Sequence, residues 1–275
     1  MKEKYEYIKS KFDTIESLGF IKCNYHDKGG PGRMLEKLLV NKKPDNSKKP
    51  DYEGIEIKTC CDNSKYKMTL FSLIPNVNNL NFENTMKYFM SFYYLRKKVA
   101  SASKVKSVKV KVRNLEGKKK TKTNSKSIPH FYLSIKGTNN FYLNGIFKFN
   151  LVFNDTEKKL YLDWENISTK DKHHCIYWNY NEITSAFVSK LNYLVLIKYD
   201  KFYSCGYFYC KYKSINFFQQ INEDAIIKLL KEGKIVISFN ISSKQDENNN
   251  LVPYYHGIRF EIDSNEISQL YKNIN

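Results

Sequence analysis

Acidic and basic side chains crowd together in the stretch Pro50-Asp51-Tyr52-Glu53-Gly54-Ile55-Glu56-Ile57-Lys58-Thr59. From Ile55 to Lys58 apolar and charged residues alternate, which is the period of a strand with one buried face. Glu56 and Lys58 therefore share a side, roughly 6 to 7 Å apart at their Cα atoms. Gly54 permits a turn just before the strand, and that turn swings Asp51 back beside Glu56. Two carboxylates and one ammonium then meet at a strand end. Carboxylate oxygens are ligands for Mg2+, a hard cation that keeps several of its own waters. A neighbouring Lys can position an attacking water, and such a metal stabilises charge developing on a phosphate. The chemistry so equipped is phosphodiester hydrolysis. The pattern Asp-x4-Glu-x-Lys is loose, however, and a surface strand of solvated charges would satisfy it too.

The segment before it narrows the choice. Gly29-Gly30-Pro31-Gly32 opens a predicted helix running to Val40, with Met34, Leu35, Leu38 and Leu39 as its apolar stripe. Glu36 lies at the margin of that stripe, so it reaches inward without full burial.

The runs GGPGRMLEKLL and PDYEGIEIKT, followed by MTLFS at Met68 to Ser72, resemble the MutH-like branch of the PD-(D/E)xK nucleases, and within it the monomeric restriction endonucleases of the MvaI and BcnI type. The likeness covers residues 28 to 75, with weaker echoes at Trp178 to Lys198 and at His256 to Phe260. It implies an α/β (mixed α+β) fold of the restriction-endonuclease type: a mixed central sheet flanked by helices, with two lobes around a DNA-binding cleft. It implies that Asp51 and Glu56 bind Mg2+, that Glu36 adds a ligand or holds a water of the metal, and that Lys58 positions the attacking water. It further implies 5′-phosphate ends, a monomer with one active site, and a companion DNA methyltransferase that is not physically bound.

Composition agrees with a nucleic-acid partner. Forty-six Lys and Arg against 28 Asp and Glu leave a formal net charge of +18, which favours a polyanion such as double-stranded DNA. Lys far outnumbers Arg while Asn, Ile and Tyr abound, so part of the basicity is also what an AT-rich coding genome produces. The start lacks the apolar core of a signal peptide, and no apolar run is long enough to span a bilayer. Six cysteines without C-x-x-C spacing are expected as reduced thiols in a cytoplasmic protein. His173-His174-Cys175 lacks the second cluster that a zinc site requires.

Along the chain, helices are expected over 2–18, 82–96, 181–190 and 222–233, the last stopping at Gly233. Residues 129–162 read as a β-meander, and strands are expected at 193–199 and 202–213 with Asp200-Lys201 as the turn between them. Further strands are expected at 235–241 and 254–262, and a final helix follows the capping pair Asp263 and Glu266. Trp178 is expected in the core. Two portions joined as one compact unit are expected, a catalytic lobe over 1–100 and, over 101–275, the basic ribbon, remaining core strands and recognition lobe.

Residues 104 to 126 hold ten Lys or Arg and a single Glu. Lys104, Lys106, Lys109, Lys111 and Arg113 interleave with valines, a ribbon suited to following a phosphate backbone, or equally an edge strand guarded by lysines. In 254–262 the row Tyr255, Gly257, Arg259, Glu261 faces opposite to His256, Ile258, Phe260, Ile262. Arg259 has the planar fork to read a guanine edge. By the family likeness His256 is a second base-reading candidate, and Lys190 matches a family lysine placed to face DNA or to serve structure. Two rival functions remain at this level: a MutH-like nickase that cuts one strand, and a basic DNA-binding module without catalysis.

Overall fold

The computed structural model describes residues 1–25, 29–42, 49–62, 64, 66–77, 130–137, 141–143, 147–245, 247 and 251–272. The helix expected at 82–96, the basic ribbon with Lys104, Lys106, Lys109, Lys111 and Arg113, and the division expected near residue 100 lie outside the described residues. The chain falls into two compact units, each assembled from separated segments. One comprises Met1–Leu70, Thr184–Ile226 and Ile262–Asn275, and the other Phe71–Ile183 and Ile227–Glu261.

The first unit is built on a mixed four-stranded sheet in the order β1 (Ile21–Lys22), β11 (Tyr207–Gln219), β10 (Tyr193–Ser204), β2 (Glu56–Cys61). β10 runs parallel to β2 and antiparallel to β11. Helix α1 (Lys2–Ser17) buries Ile8, Phe12 and Ile15, the stripe its 3.6-residue period selects. Helix α2 (Gly30–Val40) buries Met34, Leu35 and Leu39 in the same core, with Ile55, Ile57, Val195, Ile197 and Tyr212. Leu38, expected in that stripe, is exposed instead, because it has rotated past the edge of the buried arc. The Gly-Pro-Gly opening has a packing reason as well as a capping one. A Cβ on Gly30 would stand 2.8 Å from Tyr25 Cβ and one on Gly32 would stand 3.0 Å from Thr59 Oγ1, so Gly30 lets the helix start pass Tyr25 and Gly32 lets α2 close on β2. The Tyr212 hydroxyl donates to the Pro31 carbonyl at 2.7 Å and ties the helix start to β11.

The hairpin of β10 and β11 turns later than expected. Both strands continue past Asp200 and Lys201, which pair with Lys211 and Cys210, and the chain reverses at Cys205 and Gly206 with φ of 49° and 82°. Two successive positive φ values make the type I′ turn that suits strand twist, and Gly206 takes that conformation without steric cost. The final helix is a short 3₁₀ turn, Ile267–Leu270; Asp263 accepts from the Asn265 N–H instead of capping a longer helix.

A further sheet, drawn mainly from residues of the second unit, has the order β3 (Met68–Ser72), β13 (Leu251–Ile262), β12 (Ile235–Gln245), β5 (His130–Lys136). A second sheet has the order β4 (Asn76–Val77), β9 (Lys172–Asn179), β8 (Lys159–Asn166), β7 (Phe147–Asn154), β6 (Phe141–Leu143). The expected meander is thus divided: β6 to β8 form hairpins, but β5 pairs with β12. Gly137 at φ 56° allows the parting, since a Cβ there would lie 3.1 Å from the Lys231 carbonyl oxygen. Strand β9 breaks the apolar alternation that sequence patterning needs, yet pairs along β8. His173 stacks on Trp164 at 3.6 Å, and His174 stacks on Tyr161 and pairs with Asp163 at 2.6 Å. Trp178 is fully buried as expected, against Phe239 and Phe260, its indole N–H donating to the Leu73 carbonyl. Helix α4 (Glu223–Lys231) ends at Gly233 in a Schellman motif, with Lys234 N–H bonded to Leu229 O and Gly233 N–H to Leu230 O.

Candidate active site

The candidate residues of the first unit gather at the N-terminal end of β2. Tyr52 and Ile55 exchange both backbone hydrogen bonds, at 2.9 and 2.7 Å, around Glu53 and Gly54. Their φ values of 44° and 90° make this a two-residue turn of the type I′ kind. The reversal lays Asp51 alongside the strand that follows, where its Oδ2 accepts from the Ile57 N–H at 2.9 Å. The turn expected from Gly54 is therefore what places Asp51.

Glu56 departs from simple alternation: it is 1% exposed although charged. A buried carboxylate must be paired, and it is, on both oxygens. Lys58 Nζ stands 2.6 Å from Oε1 and Lys190 Nζ stands 2.7 Å from Oε2, the latter an ion pair rather than an aligned hydrogen bond. Lys190 comes from the last turn of α3 (Tyr180–Leu191), whose Ile183, Phe187 and Leu191 are fully buried, and it also donates to the Lys49 carbonyl at 2.6 Å. Lys190, expected either to face DNA or to serve structure, has its ammonium on Glu56. Sequence spacing carries no trace of this contact.

Glu36 is the fourth member. It lies one helical turn after Gly32, on the face of α2 that meets β2 at Thr59. Burial and the neighbouring Asp51 push its carboxyl up to about 7, with Glu56 adding to the rise and Lys42 and Lys58 opposing it. Burial also pushes the Glu56 carboxyl up, against the pull of Lys58 and Lys190. Asp51 has a partner that sequence reasoning missed. Lys42, directly after the left-handed Asn41 that ends α2, places Nζ 2.7 Å from Asp51 Oδ1. In sequence Lys42 is one of several lysines in a polar loop, and nothing singles it out.

The structure thus brings Glu36, Asp51, Glu56 and Lys58 into one electrostatic neighbourhood and adds Lys42 and Lys190. The carboxylates are turned onto ammonium groups: among the described residues, no three acidic, His or Cys side chains stand close enough to enclose a metal ion. The donor set itself is right for Mg2+, being hard carboxylate oxygens, one of them on a fully buried side chain.

In β13, Gly257 has φ 103°, and a Cβ there would stand 3.3 Å from Ser72 Oγ. Ile258, Phe260 and Ile262 are fully buried, as the apolar row requires, and Arg259 is half-buried. Glu261, in the Arg259 row, is buried and accepts from the Ser238 hydroxyl at 2.8 Å. His256 lies in β13 just before Gly257. Cys23, Cys60, Cys61, Cys205 and Cys210 are free thiols. No helix among the described residues is long and apolar enough to cross a membrane.

Comparison with known proteins adds to this geometry. The model of the MvaI/BcnI restriction endonuclease family matches residues 9–271. Among solved structures, the chain is similar to a restriction endonuclease MvaI–cognate DNA substrate complex, with a TM-score of 0.72 and 19% identity over 99% of this chain and 98% of that one. It is also similar to restriction endonuclease MvaI in the absence of DNA, with a TM-score of 0.51 and 17% identity over 99% and 97% of the two chains. At these identities the likeness is one of fold. No curated protein matches the sequence.

Proposed function

The chain belongs to the MvaI/BcnI restriction endonuclease family, and from that premise we propose how it cuts DNA: with Mg2+, on Asp51, Glu56, Glu36 and Lys58, leaving 5′-phosphate ends. Site-specific cleavage of DNA is the activity of the family; the assignment of residues and metal is ours. The observation that carries it is the convergence at the start of β2, where the Asp51 carboxylate is bonded to the Ile57 N–H and Glu56 is held 2.6 Å from the Lys58 ammonium.

Asp51 and Glu56 would hold the metal, and Glu36 would ligate it or hold one of its waters. Bound there, Mg2+ would supply positive charge to stabilise the negative charge that builds on the phosphate in the transition state. Lys58 is 22% exposed at its side chain, so its ammonium borders both the carboxylates and solvent. There it orients the attacking water and faces the developing charge. Ile57 fixes Asp51 through a backbone N–H, which a rigid strand holds in place better than a side chain does. Arg259, His256 and the basic residues Lys104, Lys106, Lys109, Lys111 and Arg113 are proposed to contact duplex DNA. Arg259 is suited to a base edge, and the lysines, on the sequence pattern, to phosphates. The enzyme acts as a cytoplasmic monomer and cuts the two strands in turn, with a separate methyltransferase protecting the host sites.

The test is incubation of plasmid with the protein and Mg2+, followed by sequencing of the new termini. Defined sites with 5′-phosphates are expected from the wild type. Asp51→Ala and Lys58→Ala are expected to lose cleavage while retaining duplex binding in a gel-shift assay. Near-normal turnover in either variant would overturn the assignment.

A further inference from the structure

Glu53 is the one acidic residue of the stretch from Pro50 to Thr59 that the proposed chemistry leaves unused besides the site itself. It takes the first central position of the turn between Tyr52 and Ile55, with φ 44°, and Gly54 follows with φ 90°. A turn of the type I′ kind favours Asn, Asp or Gly there, because those residues enter the left-handed region at little cost. Glutamate does not, and it persists in that conformation only where its surroundings hold it. Those surroundings belong to α1. Lys4 Nζ donates to the Glu53 carbonyl at 3.1 Å and stands 3.1 Å from the Glu53 carboxylate. One turn further along the same helix, the Tyr7 ring stacks on Tyr52, with centroids 5.7 Å apart and planes 19° from parallel. Lys4 and Tyr7 thus grip two successive residues of the turn.

Helix α1 is a firm base for these contacts. Its Ile8, Phe12 and Ile15 are buried in the core that also holds Ile55 and Ile57. Its Tyr5 hydroxyl donates to the Phe218 carbonyl of β11 at 3.0 Å. On the other side of the turn, the Asp51 Oδ2 accepts from the Ile57 N–H at 2.9 Å. We propose that Lys4 and Tyr7 are positioning residues for cleavage: they hold the strained Glu53–Gly54 turn and through it set the Asp51 carboxylate. Glu53 is then an acidic handle for α1 and not a ligand. This rests on Asp51 being a metal-binding residue, as assigned above.

The Ile57 amide reports the position of Asp51 with neither metal nor DNA present. Its hydrogen exchange, followed by NMR on 15N-labelled protein in EDTA, is the first readout. An exposed ion pair and an aromatic stack are each worth a factor of about two to ten. The double variant Lys4→Met, Tyr7→Ala is therefore expected to exchange at Ile57 about tenfold faster than the wild type. Val195 and Ile197 of β10 are expected to keep their protection. Tyr7→Phe, which keeps the ring, should stay near the wild type. Glu53→Asn supplies a residue that the turn prefers, and added to the double variant it is expected to restore slow exchange. Single-turnover cleavage at saturating protein is the second readout. There the double variant is expected to be slower by a similar factor and to need more Mg2+ for half its maximal rate. Duplex binding in a gel shift should be unchanged, and Glu53→Asn should again restore the rate. Contacts that merely dock α1 would not be rescued by a change in the turn. Unchanged exchange at Ile57, or a loss that Glu53→Asn does not repair, overturns the positioning role. Full cleavage by Asp51→Ala, with exchange at Ile57 responding as expected, overturns instead the assignment of Asp51 to the metal, and leaves Lys4 and Tyr7 as holders of the turn without a part in cleavage.

Discussion

Replacing Glu36 by Gln in the metal-free protein is expected to flatten the dependence of stability on pH between about 4.5 and 8. The Glu36 carboxyl is lifted from its ordinary 4.5 to about 7, first by burial and then by Asp51. The folded state therefore holds this proton more tightly than the unfolded chain does. The favourable contribution is complete below the unfolded value and is lost as pH rises through about 7. A difference of that size corresponds to about 3 kcal/mol. The side chain is only half removed from water, so solvent screening leaves roughly 1 to 2 kcal/mol of it. For a chain of this length that is about 3 to 6 °C in Tm. Thermal unfolding in EDTA across pH 4.5 to 8.5 measures it: the wild type should lose this amount relative to Glu36→Gln as pH rises. Addition of Mg2+ at pH 8 should restore much of the loss in the wild type and little in the variant, because a cation stabilises the ionised carboxylate. Parallel curves for the two proteins would refute the placement of Glu36 beside Asp51.

Two further changes probe the supports of the site. Lys190→Ala leaves Glu56 buried with only Lys58, and is expected to cost about 3 kcal/mol in urea unfolding, with much of the loss recovered when Glu56 is also changed to Gln. Gly54→Ala puts a side chain at φ 90°, at a cost of about 1 kcal/mol or more. Because the turn sets the position of Asp51, cleavage should fall further than that stability change explains, with gel-shift binding retained. Unchanged cleavage in Gly54→Ala would mean that the turn does not position Asp51.

What the sequence alone determined was local. The alternation of Ile55 to Lys58, the glycine that allows the turn, the stripe of α1 and the Gly-Pro-Gly start of α2 each lie within a few residues. Steric limits on φ and the two periods of side-chain direction are enough to specify them. Trp178 was legible for a related reason, since so large an apolar surface has few places to go except the core. Where several local solutions were similar in energy, sequence reasoning chose wrongly. The polar pair Asp200-Lys201 resembled a turn as well as Cys205-Gly206 did, and β5 looked like a partner for the strand after it. In each case a positive φ at one glycine, Gly206 or Gly137, settled the path once the neighbouring strands were in place. The charge arrangement of the site belonged wholly to tertiary structure. Lys190 meets Lys49 across 141 residues of chain, and Lys42 is distinguished from its neighbouring lysines only by where α2 ends. A carboxylate buried at Glu56 needs counter-charge within a few ångströms, and folding supplies it from whichever segment passes through that space; no pattern along the chain records which one does.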